Sequence, residues 1–205
     1  MDSRVKTPAL SYRQSQAEST RVRIAEAAQR LFARDGYAAT SMSAIAHSAG
    51  VGNRTVYAAF GAKREILNLI CETWLERAGA RSLAREILAD PDPLQRLRGA
   101  ARWLTTLYAT DFDVVRILDS AMDEDAETRE VLRAKLRGRN RVMDALIVSV
   151  EKDLSISLAD AQAIFRAYAA AGVYGELVMD SGWSAERFER WLADTLVAQL
   201  FASER

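Results

Sequence analysis

With 205 residues, 49% of them hydrophobic, the chain can bury a substantial core in one large domain or two small ones. Its 28 Lys and Arg balance its 28 Asp and Glu overall, yet residues 1–65 hold ten cations against five anions and the remainder carries the opposite excess. A basic N-terminal part suits phosphate attraction and an acidic remainder suits solubility. The single cysteine, Cys71, excludes an intrachain disulfide. No apolar run approaches the roughly 18 residues that a membrane span needs, so no membrane partner is expected and the setting is read as cytoplasmic. Met1 to Glu18 contains Arg4, Lys6 and Arg13 but lacks the continuous apolar stretch of a signal peptide, and is read as a disordered arm over residues 1–18.

After Glu18 nearly every segment has helical period and no strand pattern occurs, which predicts an all-α fold. In the first helix Ile24, Ala27, Ala28, Leu31 and Phe32 recur at i, i+3, i+4, i+7 and i+8, and Gly36 ends it. The stretch Ala39 to Phe60 then reads as two short helices around a tight turn at Gly50, with Ile45, Ala46 and Ala49 facing inward from the first and Val51, Val56 and Phe60 from the second. This is a helix-turn-helix. It leaves Asn53, Arg54, Thr55 and Tyr57 on the outer face, where donors and acceptors can meet base edges and phosphates in a major groove.

The flanking residues add to the pattern. Leu31-Phe32 and Gly36-Tyr37 close the first helix, Thr40-Ser41 open the second, Ala49-Gly50-Val51 form the turn, Thr55-Val56-Tyr57 lie in the third and Lys63 opens the fourth. Over Thr20 to Leu67 this spacing resembles the TetR family of transcriptional repressors. The resemblance implies an N-terminal three-helix DNA-binding domain, placed at residues 19–65, and a C-terminal helical ligand-binding and dimerisation domain at 66–205. It further implies a homodimer on a two-fold symmetric double-stranded operator, released by a small-molecule effector.

Within that frame Arg54 is the candidate for bidentate contact with guanine, and the Thr55 methyl for contact with thymine. Asn53 has two readings, an adenine contact or the cap of its own helix, because Gly52 stands where many relatives have a capping serine. Tyr57 matches a position that bonds phosphate in the family, and Lys63, Thr40 and Ser41 sit at helix starts suited to phosphates, with ordinary capping as the plainer role for the last two. Ala58 and Ala59 are smaller than the residues often found there, and Ala62 is a poor cap.

The fourth helix is read from Ala62 through Ile66, Leu67, Ile70, Trp74 and Leu75 to Leu88, long enough to link two domains rigidly and to couple them. After Pro91 and Pro93, helices are expected over Leu94–Thr110, Phe112–Met122, Ala126–Asp153, Leu158–Asp180 and Ala185–Ala202, with Asp111, Ser157 and Ser184 as caps. In the penultimate helix Ala159, Ala163, Ala167, Ala171 and Gly175 repeat at i+4 and form a small-residue ridge. The last helix offers Phe188, Trp191, Leu192, Thr195, Leu196 and Leu200 as a complementary stripe. In the family these helices form a four-helix dimer interface; the alternative is that both faces pack inside one subunit.

Trp74, Trp103, Leu107, Tyr108, Met143, Leu146, Phe165, Tyr168 and Met179 are large groups on the bundle helices, mostly core. Of these Trp74, Trp103, Leu107, Tyr108, Met143, Phe165 and Tyr168, with Glu176, are candidates for an effector pocket. Phe165, Tyr168, Gly172 and Glu176 share one stripe, and Arg116 and Asp119 could add polarity. A hydrophobic or aromatic effector is the expectation. His47, the one histidine, lacks companion ligands for a metal, Cys71 reads as a small core residue, and the acidic run Asp119 to Glu127 reads as a solvated helix end. With no phosphate loop, nucleophile elbow or further histidine base, neither an enzyme nor a cofactor is expected. The competing reading is a helical ligand-binding or interaction protein with weakened operator binding, motivated by Gly52, Ala58 and Ala59.

Overall fold

The computed structural model describes residues 12–123 and 126–201, and the chain divides into two compact units, Met1–Ile70 and Cys71–Arg205. The N-terminal unit begins with α1 (Tyr12–Asp35), whose stripe Ile24, Ala25, Ala27, Ala28, Leu31 and Phe32 is buried. The helix starts earlier than expected. Residues 12–18, assigned to a disordered arm, are helical because Arg, Gln, Ala and Glu are good helix formers and no glycine or proline interrupts them. Residues 1–11 of that arm lie outside the described residues.

Gly36 (φ +88°) ends α1, and the chain enters α2 (Met42–Ala49) through Ser41, whose Oγ accepts from the Ala44 N–H at 3.1 Å. Gly50 closes α2 at φ +65°, a conformation that any Cβ would strain, while the Val51 N–H bonds the Ala46 carbonyl. The turn delivers α3 (Asn53–Phe60), which buries Val56 and Phe60. These meet a core containing Ile24, Phe32, Tyr37 and Ile45. The next helix, α4 (Lys63–Arg77), contains the boundary between the units.

Leu88 is not reached by α4. Gly79 adopts φ +59° and separates α4 from α5 (Ala80–Leu88), so the single long linker is two helices. Asp92 then caps α6 (Pro93–Thr110) by accepting from the Leu94 N–H, with Pro93 in the first turn where its missing N–H is harmless. This is the central helix of the C-terminal unit, burying Leu97, Ala100, Ala101, Trp103, Leu104, Leu107 and Tyr108. Around it run α7 (Phe112–Ser120) with a 3₁₀ turn at Ala121–Asp123, and α8 (Ala126–Val148) with another at Glu151–Asp153.

The segment expected as one helix over residues 158–180 is broken. Ser157 caps α9 (Leu158–Tyr168), Ala170 is extended (ψ 135°), α10 (Ala171–Tyr174) makes one turn, and a π-helical turn covers Gly175–Asp180. The alanine ridge therefore does not continue from Ala167 to Ala171 and Gly175. Ser184 caps α11 (Ala185–Leu200), which packs along α6. Phe188, Leu192 and Leu196, expected at a dimer interface, are instead fully buried inside the chain, with Leu200 beside them; Trp191 is half-buried. The stripe is apolar because α6 needs it. Ala163 and Ala167 remain exposed on α9, and Ala171 and Gly175 are half-buried.

The approach of α5 to α6 depends on Gly99. A Cβ there would lie 2.6 Å from Ile87 Cγ2, closer than two carbons can sit. Gly138 in α8 is the opposite case, since its nearest neighbour would be the end of the Arg141 side chain at 3.8 Å. Gly99→Ala should destabilise the protein by about 1–3 kcal/mol through overpacking. Gly138→Ala should stabilise it by about 0.5–1 kcal/mol through lost unfolded-state entropy. Urea unfolding of the two variants checks the pair, and equal effects would contradict this packing.

Candidate functional site

The N-terminal unit presents Asn53, Arg54, Thr55 and Tyr57 to solvent on α3, opposite the buried Val56 and Phe60. Gly52 is the cap of α3 and supplies no side-chain bond, and Asn53 is the first helical residue. Asn53 is thus not a cap: its Nδ2 donates to Ser43 Oγ at 3.4 Å, which leans the amide toward α2. Arg54 and Thr55 are exposed on the same side of the helix, and Tyr57 keeps 55% of its surface.

Two of the residues assigned to phosphates have internal duties. Thr40 is buried, and its Oγ1 donates to the Gly36 carbonyl at 2.8 Å; Ser41 is exposed and caps α2. Lys63 departs furthest from expectation. Its ammonium donates to the carbonyls of Tyr37 at 2.5 Å, Thr40 at 3.2 Å and Ala38 at 3.3 Å, and lies 4.2 Å from the Tyr37 ring centre. An ammonium has three N–H groups, so these bonds engage all of them, leaving its charge rather than its donors for a phosphate. Lys63 clamps the α1–α2 turn. Sequence reading also missed Arg21, which donates to the Ala59 carbonyl at the end of α3 and stacks 4.3 Å from the Phe60 ring centre. Nothing in its local pattern signals this, because the partner lies 38 residues away.

The C-terminal unit holds a cavity of about 960 Å³. Of the eight expected pocket residues, Trp74, Trp103, Leu107 and Tyr108 line it. Met143 and Phe165 are fully buried core residues outside the lining. Tyr168 instead accepts from Gln199 and packs on Trp191, and Glu176 is exposed on the π turn. The cause is the broken helix: once α9 stops at Tyr168, residues 165, 168, 172 and 176 no longer share a stripe, and only Gly172 of that set reaches the cavity. Asp119 lines it too, whereas Arg116 pairs with Asp113 and does not.

Trp74 and Trp103 are fixed by indole N–H bonds, each 2.9 Å, to the carbonyls of Leu107 and Ala80. Tyr108 donates to the Ala169 carbonyl and accepts from Arg139 Nη1 at 3.2 Å. Burial pushes the Tyr108 phenol above its ordinary pKa despite the opposing charge of Arg139, so it stays protonated at neutral pH. Sequence reading did not find the cationic side chains of this lining, Arg81, Arg85, Lys135, Arg139 and Arg141, because a charge on a helix ordinarily signals a solvated face. Cys71 also lines the cavity, its thiol pushed up to about 11 by burial, with Lys135 opposing and Glu72 reinforcing the shift.

Residues 24–70, which span the buried stripe of α1 and all of α2 and α3, match the family described as bacterial regulatory proteins, tetR family. The HTH-type transcriptional regulator TtgR of Pseudomonas putida is 26% identical over 146 residues, covering 71% of this chain and 67% of that protein. Over residues 24–70 the chain therefore carries the DNA-binding region of the tetR family of bacterial regulatory proteins. Its fold is shared by NalD, the secondary repressor of the MexAB-OprM multidrug efflux pump in Pseudomonas aeruginosa, at TM-score 0.71 and 20% identity over 93% of this chain and 100% of that one. It is likewise shared by FadR from Bacillus subtilis in complex with stearoyl-CoA, at TM-score 0.70 and 19% identity over 86% and 97% of the two chains. No helix among the regulator's described residues is long and apolar enough to cross a membrane.

Two expectations follow from the geometry. Lys63→Ala should lower the stability of the N-terminal unit by about 1–3 kcal/mol, because three carbonyls lose a charged donor; calorimetry measures this, and weakened DNA binding with unchanged unfolding would assign Lys63 to phosphates instead. Cys71 should be inert to a disulfide reagent at pH 8 in the native protein and reactive in denaturant, since a thiol of that pKa is roughly one-thousandth thiolate there. Rapid native labelling would show that the cavity wall opens.

Proposed function

We propose that the regulator is a cytoplasmic homodimeric repressor, not an enzyme, that leaves a two-fold operator when a small molecule occupies the C-terminal cavity. The observation that carries this reading is the pairing of an outward polar face on α3, held by Arg21 and Lys63, with an apolar-walled cavity of about 960 Å³ that falls in the size range of small-molecule sites. Repression by NalD and the acyl-CoA ligand of FadR lend the reading precedent.

The reading gives α4 the coupling role. Lys63 opens this helix at the clamp, and Cys71, Glu72, Trp74 and Leu75 from its second half line the cavity. A molecule pressing on those side chains biases α4, and by linkage DNA and effector then weaken each other equally. The exposed Ala163 and Ala167 on α9 with half-buried Trp191 on α11 supply the face for the second copy, since small residues let helices approach closely.

The test starts from operators selected out of random duplex. Arg54→Ala should relax discrimination at one base pair per half-site, by roughly 1–3 kcal/mol, because a bidentate base contact is lost. Tyr57→Phe should weaken all sequences alike with little change in salt dependence, because it removes an uncharged hydroxyl. Failure to select any sequence would favour a ligand-binding protein without an operator. For the dimer, sedimentation should show Ala167→Arg as a folded monomer, and a monomeric wild type at micromolar concentration overturns that part.

A further inference from the structure

Five cationic side chains line the cavity, Arg81, Arg85, Lys135, Arg139 and Arg141, against two carboxylates, Glu72 and Asp119. Lys135 is paired with Glu72. Arg81, Arg85 and Arg141 are exposed, at the margin, where their charge attracts anions without being desolvated. Arg139 differs from them. It is half-buried on α8, makes no ion pair among the described residues, and its Nε is buried without a hydrogen-bond partner. Its two polar contacts, Tyr108 Oη at 3.2 Å and Asn140 Oδ1 at 3.4 Å, are neutral, so no carboxylate among the described residues pairs with its charge.

The contacts also fix the orientation of Arg139. Tyr108 gives its own proton to the Ala169 carbonyl, so toward Arg139 it acts as an acceptor and holds one Nη in place. Arg139 lines the cavity, and a guanidinium there offers charged N–H donors of the kind a carboxylate takes. The same lining includes the apolar and aromatic side chains of Trp74, Trp103, Leu107, Val115 and Leu118.

Resting on the cavity as the effector site, we infer that the effector is an amphiphilic carboxylate, its head on Arg139 and its apolar body against Trp74, Trp103 and Leu107. This adds a charged head to the expectation of a hydrophobic or aromatic effector. Tyr108 is a positioning residue, acting through Arg139.

The experiment compares dodecanoate, dodecan-1-ol and dodecylamine by calorimetry, below their micelle concentrations, on the full-length protein and on Arg139→Gln and Arg139→Lys. Dodecanoate should bind at least about tenfold tighter than the alcohol, as expected for a charge-assisted bond made in a partly dry site. The amine should bind weakest. In Arg139→Gln the preference for the acid should vanish while the alcohol binds as before, which also reports that the variant is folded; Arg139→Lys should restore part of the preference. Equal binding of acid and alcohol to the wild type, or an acid preference that survives Arg139→Gln, overturns the carboxylate inference and leaves the cavity as the effector site. If none of the three binds, the cavity reading itself falls, and the inference with it.

Discussion

A carbonyl that loses its helical partner needs another donor, and in the C-terminal unit the donor is Tyr108. The N–H of Val173, which would continue α9 by bonding Ala169, goes instead to Ala170, and the Ala169 carbonyl is taken by the Tyr108 hydroxyl. One wall of the cavity depends on this exchange. It lets α9 stop at Tyr168, turns residues 169–172 into cavity wall, and leaves the oxygen of Tyr108 to receive Arg139. The side chain is held on its other sides by Phe112 and Tyr174, whose ring centres lie 5.8 and 5.4 Å away, and Tyr174 in turn packs edge-on against Phe188 of α11. Aromatic pairs of this geometry add about 0.5–1.5 kcal/mol each beyond the area they bury.

The N-terminal unit obeys a similar logic with charge in place of a phenol. Its helices are short, and α2 and α3 at eight residues each are too short to persist alone. Burial of Ile45, Val56 and Phe60 holds them, and cations close the ends: Lys63 gathers the carbonyls of the α1–α2 turn while Arg21 takes one at the end of α3. Among the described residues, the polar side chains on the outward face of α3 make no hydrogen bond apart from the light contact between Asn53 and Ser43. Rigid backbone beneath, unencumbered side chains above: that division lets one scaffold present different surface groups.

Local pattern carried most of the architecture. The spacing of Ile24 to Phe32, the turn at Gly50, and the caps Ser41, Ser157 and Ser184 are short-range signals, and the first three helices and those cap positions follow from them, whereas Asp111 precedes α7 without a side-chain cap bond and the cap at Asp92 was not read. What local pattern does not hold is a partner distant in sequence. The small-residue ridge from Ala159 to Gly175 has unbroken helical period, yet Tyr108, some 61 residues from Ala169, breaks it. The same blindness explains Lys63, whose partners lie 23 to 26 residues away, and the α11 stripe, which looks alike whether it faces α6 or a second subunit. Half of the expected pocket residues, Trp74, Trp103, Leu107 and Tyr108, do line the cavity; its cations were not legible, because solvated and cavity-facing arginines have the same sequence signature.

Many of the bonds between distant parts of this frame share one feature: their acceptors are main-chain carbonyls. Trp74 bonds that of Leu107, Trp103 that of Ala80, Tyr108 that of Ala169, Arg21 that of Ala59, Lys63 three in the α1–α2 turn, and Arg96 those of Asp90, Pro91 and Ser149. Every amino acid supplies such an oxygen. Drift at the accepting position therefore leaves the bond intact, and a lineage has to keep only the donor. A scaffold wired in this way tolerates wholesale replacement of its surface and its pocket walls, which accords with a shared backbone at TM-score 0.70 where fewer than one residue in five is identical. New effector specificities can then arise by exchanging cavity side chains without first repairing the framework that holds them.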